Sequence, residues 1–366
     1  MNSMSAETAV FSKTNEFPLR RGIAVAGNLV ADVVKNIDRY PGIGMLSSIR
    51  SVSRGVGGSV PNVGIDLKRI DPSLPVSGVG CVGSDEYGRF LLDELQKAGM
   101  DTSRIRTLDN VPTSFSDVMS LPGGERTFFH ARGANALFSP SDAEADKLDC
   151  DIMHIAYILL LDRFDAPDPE YGTVMARYLR SVQAKGIRTS VDMVTDSGMD
   201  YAKTVLPALK YCDYLIVNEI ECCSAWGLSV RDENGLLKVS TVRKAMEMSL
   251  AEGVKRKVVV HAREGGFCLS RDGFFFSPSL CLPAGAVEGS VGAGDAFCAG
   301  TLYGIYGGWD DEKTLSFACA CAACSLTKAD AVSGMRSRDE VWRFAEAFPP
   351  GKPAFAPDNF SQEGKL

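Results

Sequence analysis

Tyr214-Leu215-Ile216-Val217 and Lys257-Val258-Val259-Val260 are short, largely apolar runs without polar alternation, and between them residues 242–251 repeat apolar positions at helical spacing. An unalternating apolar run suits a strand covered on both faces, as happens inside a parallel sheet clothed by helices. The same beat extends upstream, with strands expected at 151–156 and 187–191 and helices at 171–184 and 199–209. Earlier still come strands at 22–29, 76–82 and 104–107 and helices at 60–70 and 86–98. This alternation predicts an α/β fold: a doubly wound, mainly parallel sheet with helices on both faces.

Two segments break the rhythm. Residues 33–54 are mixed and turn-rich around Tyr40-Pro41-Gly42, and residues 112–132 hold two strand-like runs, 113–119 and 126–131, flanking Pro122-Gly123-Gly124. Both read as short antiparallel strands off the main sheet, so they are expected to form a small β-sheet lid over its open end. Residues 1–21 read as a disordered leader, 22–350 as one α/β domain carrying the lid, and 351–366 as a C-terminal tail.

Composition narrows the function. With 366 residues and 45% hydrophobic content the chain can bury a large core, and a net charge of -7 lacks the basic footprint that nucleic acid requires. The leader has no continuous apolar core and no run is long enough to cross a bilayer, so a cytoplasmic protein with no membrane partner is expected. Eleven cysteines, several within apolar helical sequence, read as reduced thiols rather than a disulfide framework.

Three glycine-rich stretches are candidate sites. Gly78-Val79-Gly80-Cys81-Val82-Gly83 has dinucleotide-turn spacing, but Asp101 precedes the second strand instead of ending it, which favours a plain strand-to-helix junction. Gly55-Val56-Gly57-Gly58-Ser59-Val60-Pro61-Asn62 opens a helix; it would let a polyhydroxylated ligand approach the backbone, and an ordinary glycine turn fits it equally. In Glu288-Gly289-Ser290-Val291-Gly292-Ala293-Gly294-Asp295-Ala296-Phe297, small residues before a helix aim amides into one concavity, an anion hole beside which Asp295 can accept a hydroxyl proton. Alone, Asp295 is as well explained as a helix cap. The chain has no Gly-x-x-x-x-Gly-Lys-Ser/Thr loop, and Cys319, Cys321 and Cys324 spread over different helix faces, as packing residues do. His130 and His261 belong to no nucleophile motif.

Taken with its neighbours in order, the third motif resembles the C-terminal signature of the ribokinase-like (PfkB) carbohydrate kinases, close to Asp-Thr-x-Gly-Ala-Gly-Asp-x-Phe. The resemblance implies a Mg-ATP-dependent phosphotransferase of ribokinase-like fold, with Asp295 as catalytic base and the amides of Gly292, Ala293 and Gly294 as anion hole. It likewise implies that Asp32, Gly57, Gly58, Asn62 and Asn135, the last in Gly133-Ala134-Asn135, hold a sugar or sugar-like substrate. Asn218 and Glu221, from the family's Asn-x-x-Glu, would organise ATP and Mg, with Glu221 reaching the metal through water. A lid of this kind also offers strand edges for a possible homodimer.

Departures from the family pattern shape the details. Gly289 and Val291 stand where many members carry cation-site residues, which argues against potassium activation. The nucleotide turn reads His261-Ala262-Arg263-Glu264-Gly265-Gly266, keeping Gly266 and offering Arg263 as substitute phosphate donor. Ser59 replaces the lysine that follows the glycine pair in phosphosugar kinases and ribokinase, favouring a neutral sugar, a sugar acid or a nucleoside over a sugar phosphate. Arg132 could meet a carboxylate, and Phe128 and Phe129 could stack on a base or simply pack the lid. Alternatives to a sugar kinase are a nucleoside kinase of the same family or a catalytically silent ligand-binding protein on the same fold.

Overall fold

The computed structural model describes residues 21–122, 125–195, 198 and 200–357. Along them run β1 (Ile23–Gly27), β2 (Val30–Ile37), β3 (Ile49–Gly57), α1 (Ser59–Ile70), β4 (Val76–Gly83), α2 (Glu86–Lys97), β5 (Asp101–Leu108), β6 (Phe115–Ser120), β7 (Arg126–Ala131), β8 (Ile152–Ile158) and α3 (Asp162–Asp165). There follow β9 (Pro167–Asp168), β10 (Gly172–Thr173), α4 (Val174–Gln183), β11 (Arg188–Met193), α5 (Tyr201–Leu209), β12 (Tyr214–Asn218), α6 (Glu219–Ser224) and α7 (Val239–Glu252). The chain closes with β13 (Lys257–Ala262), β14 (Gly265–Ser270), β15 (Gly273–Pro278), α8 (Ala293–Gly307), α9 (Asp311–Ser325) and α10 (Arg338–Ala347).

Among the described residues the main sheet has nine strands in the order β15-β14-β13-β12-β11-β8-β1-β4-β5. From β13 to β5 all neighbours are parallel, while β14 and β15 add an antiparallel edge. One apolar core lies between the sheet and α4 to α7, a second between the sheet and α1, α2, α8, α9 and α10. The expected double winding is therefore present. The β14–β15 hairpin was not legible: Gly265, Gly266 and Gly273 interrupt its apolar pattern, and only pairing with β13 makes a strand of it.

Helix starts differ from expectation where caps intervene. α4 begins at Val174 rather than 171 because the Thr173 hydroxyl accepts from Ala176 N at 3.2 Å. α5 follows a similar cap from Asp200, and Met199 lies outside the described residues. So do residues 1–20 of the expected leader, Gly123 and Gly124 of the expected turn, and 358–366 of the tail.

The lid is a separate four-stranded sheet, β3-β2-β6-β7, with β2–β3 and β6–β7 antiparallel and β2–β6 parallel. Asp32 belongs to it. β1 stops at Gly27 and the chain goes directly into β2, where Asp32 pairs with Gly55 and Ser116. The lid then returns to the main domain at Gly58, whose φ of 83° and approach to the Asn28 carbonyl leave no room for a Cβ. That junction starts α1 beside the ends of β1 and β8. Ten of the eleven cysteines are buried.

Candidate active site

The carboxyl ends of β8, β11, β12 and β13 face the start of α8 across a cleft of about 730 Å³, the expected place for a ligand in an open parallel sheet. Tyr157, Asp192, Glu221, His261 and Asp295 line it. A second chamber of about 310 Å³ lies against the lid and holds Asp32. Arg126, Phe128 and Val291 line both, so the two spaces adjoin at the lid.

Asp295 sits in the first turn of α8, where the helix dipole favours a negative charge. It is not a simple cap: its carboxylate accepts from Asn62 Nδ2 at 2.9 Å through Oδ2 and from the Tyr157 hydroxyl at 2.6 Å through Oδ1. Burial pushes Asp295 above the usual carboxylate range, and these two donors pull it back down. Gly292 caps α8 in the left-handed region, φ 79°, and a Cβ on Gly294 would stand 3.0 Å from the His261 ring. The Ala293 amide donates to Ser290 O at 3.3 Å, so part of the expected anion hole is already engaged in its own turn.

Asn218 and Glu221 come together as expected, in a capping box at the start of α6. Asn218 N donates to Glu221 Oε2 at 2.9 Å and Glu221 N to Asn218 Oδ1 at 2.8 Å, while the Thr195 hydroxyl donates to Glu221 Oε1 at 2.9 Å. Burial raises Glu221 to about 7, against the lowering effect of these bonds. Asp192, at the end of β11, is raised well above its ordinary value by burial, then by Glu221 and Asp295. Sequence reading stopped that strand at 191 and missed it.

Two residues expected at the nucleotide do not line the cleft. Arg263 donates to Glu264 Oε1 at 2.9 Å and to Gly235 O at 2.8 Å and does not line the cleft, because Glu264, held by Arg231, draws it sideways. Gly266 is a packing glycine, since a Cβ there would stand 2.8 Å from both Phe297 and Leu315. His261, from the same turn, does line the cleft, and burial lowers it to about 4, so it is a neutral ring.

On the acceptor side, Asp32 lies against Gly57, and burial lifts it to about 7 while Ser116 and Arg126 act to lower it. Asn62 Oδ1 is buried without a partner while its amide serves Asp295. Asn135 is fully buried, accepting from Leu29 N at 3.2 Å and donating to Leu29 O at 3.1 Å. Arg132 pairs with Asp162 at 2.6 Å and is not among the residues that line the cleft. Arg126 is the guanidinium that lines both chambers, donating to Ala329 O at 3.0 Å. Strand alternation, which sets Arg126 and Phe128 on one face of β7 and Phe129 on the other, could have found it. A Cβ at Gly57 would lie 2.4 Å from Asp32 Oδ2. Under the family resemblance's reading of Asp32 as an acceptor contact, Gly57→Ala is expected to displace that carboxylate and raise KM for the acceptor about 10- to 100-fold, with KM for ATP unchanged in initial-rate assays.

Comparison with known proteins agrees with this fold. A family model described as pfkB family carbohydrate kinase matches residues 20–338. An Arabidopsis thaliana ribokinase is 26% identical over 87% of this chain and 79% of its own length. A 5-dehydro-2-deoxygluconokinase from Geobacillus thermodenitrificans is 22% identical, over 81% of this chain and 86% of its own. The solved structure of Arabidopsis thaliana ribokinase complexed with ribose and ATP superposes with a TM-score of 0.73 at 21% identity, covering 90% of this chain and 99% of that one.

Proposed function

The chain belongs to the pfkB family of carbohydrate kinases, a family of sugar kinases, and from that premise we propose that it transfers the γ-phosphoryl group of Mg-ATP to a hydroxyl of a sugar or sugar-like acceptor, with Asp295 as general base. The observation that carries this is the Asp295 carboxylate, held by Asn62 and Tyr157 at the start of α8. Gly292 to Gly294 adjoin it and the Asp32 chamber opens beside it. In the step, Asp295 takes the acceptor's hydroxyl proton, the acceptor oxygen bonds to the γ-phosphorus, the bond from that phosphorus to the β–γ bridging oxygen breaks, and ADP leaves. The free amides at the start of α8 stabilise the charge on the transferring group.

The donors present fit a magnesium ion. Asp192 and Glu221 supply carboxylate oxygens on the cleft wall, and among the described residues no three metal-binding side chains converge into a full cage, which favours an ion held largely through its waters. When bound, the ion neutralises charge on the phosphates. Glu221→Gln is expected to weaken Mn²⁺ binding, read by electron paramagnetic resonance without turnover, about 10- to 100-fold. Affinity equal to wild type would remove Glu221 from the metal's surroundings.

For the acceptor, Asp32 and Asn62 offer hydrogen bonds to hydroxyls, and Arg126 supports a sugar acid over a neutral sugar or a nucleoside. A thermal-shift screen of these three classes with Mg-ATP, followed by mass spectrometry for a phosphate ester, tests the assignment. A phosphorylated nucleoside with no phosphorylated sugar would replace it by the nucleoside reading. Exposed Ile43, Met45, Leu46, Ile49 and Val52 on and beside β3 further support pairing of two copies through the lid. A sedimentation mass of one chain would remove that part. Buried, unbonded cysteines fit a reducing, cytoplasmic setting, which cell fractionation would check.

A further inference from the structure

Tyr157 is the residue nearest the chemistry that the motifs do not account for. It lies near the end of β8, and its backbone is fixed by the fully buried Asn28, whose Oδ1 accepts from Tyr157 N at 2.8 Å while its Nδ2 donates to Leu160 O at 3.3 Å. Asn28 O also accepts from Val60 N at 3.1 Å, tying this corner to the start of α1, the helix that carries Asn62. Tyr157 and Asn62 thus reach Asp295 from two elements joined through one buried asparagine. Each takes a different carboxylate oxygen.

We propose that Tyr157 is a positioning residue for the base, its hydroxyl and the Asn62 amide together fixing the Asp295 carboxylate in one orientation with lone pairs left for the acceptor hydroxyl. This rests on the reading of Asp295 as base. The donors matter because the surroundings are otherwise hostile to a charge. Burial raises the Asp295 carboxyl; burial, and with it the Asp295 charge, in turn raises Asp32 from the lid, Asp66 from α1, Asp192 from β11 and the Cys298 thiol from α8. Arg126 and Arg69 act on Asp32 and Asp66 respectively, not on Asp295 itself. The phenol remains a donor at working pH, since burial and the neighbouring carboxylates push its own ionisation far upward.

The sign follows. A hydrogen bond to the charged carboxylate lowers its pKa, so its loss raises it, and the base is neutralised earlier as pH falls. Tyr157→Phe keeps the ring and is expected to lower kcat about tenfold and to move the acid limb of the kcat/KM profile up by about one pH unit. Site-specific 3-fluorotyrosine at 157, a stronger donor of nearly the same shape, should move that limb the other way. Opposite shifts in two folded proteins are not what a merely structural residue gives. Unchanged acid limbs in both variants, with Asp295→Asn inactive, would overturn the proposal and leave the base assignment standing; an active Asp295→Asn would overturn the base assignment itself.

Discussion

Asp295→Asn is expected to retain the fold and ATP binding and to lose about 10²- to 10⁴-fold in kcat, the usual contribution of a positioned general base. The amide is nearly isosteric: its one oxygen can still accept from Asn62 Nδ2, and its NH2 group can donate to the Tyr157 hydroxyl, which can accept. What disappears is the proton acceptor. Removing a charge from a fully buried site should leave the melting temperature equal or higher, because burial holds the Asp295 carboxyl above its ordinary range. A fall in kcat with unchanged KM for ATP and undiminished thermal stability would thus separate chemistry from folding. Near-normal turnover would leave Asp295 a structural carboxylate that ties Asn62 and Tyr157 to α8.

Gly292→Ala should act through the backbone. Its φ of 79° costs an L-residue about 1–2 kcal/mol, and the new Cβ would stand 2.5 Å from Ala331 O and 2.6 Å from Ala331 Cα, neither of which can swing aside as a side-chain tip can. The turn before α8 must shift, and with it the amides expected to receive the transferring phosphoryl group. The loss of such a donor set is about 10²- to 10³-fold in kcat. A drop in melting temperature should accompany it, in contrast to Asp295→Asn. Since Arg126 of the lid bonds to Ala329 in the same loop, the shift is also expected to disturb the acceptor chamber.

The parallel core was readable because its strands are covered on both faces and its helices punctuate them, so each element carried its own signature. Of the residues named from sequence order, Asn218, Glu221 and Asp295 line one cleft, Asn62 reaches Asp295, and Gly57 lies against Asp32. The expected site residues that stand apart from the cleft share one physical origin. Asn135, Arg132, Arg263 and Gly266 were assigned by position in a motif, yet each is claimed by a partner that only the fold supplies: the Leu29 backbone, Asp162, Glu264 with Gly235, and Phe297. Conversely, Tyr157 and Asp192 belong to no motif in the chain and become site residues because they lie at or near the carboxyl ends of neighbouring parallel strands. A polar residue directly after an apolar strand was their only local sign. β2, which carries Asp32, follows β1 without an intervening helix, and nothing in the sequence marks a strand that leaves the sheet in that way.

The most direct test of the phosphotransferase assignment is a ³¹P nuclear magnetic resonance time course of the wild-type protein with Mg-ATP and a panel of sugars and sugar acids. The account predicts that one acceptor gives a phosphate-ester resonance growing in step with ADP, one ester per ADP, with no inorganic phosphate in excess. Binding of a panel member, seen as a thermal shift, with neither ester nor ADP formed would contradict it.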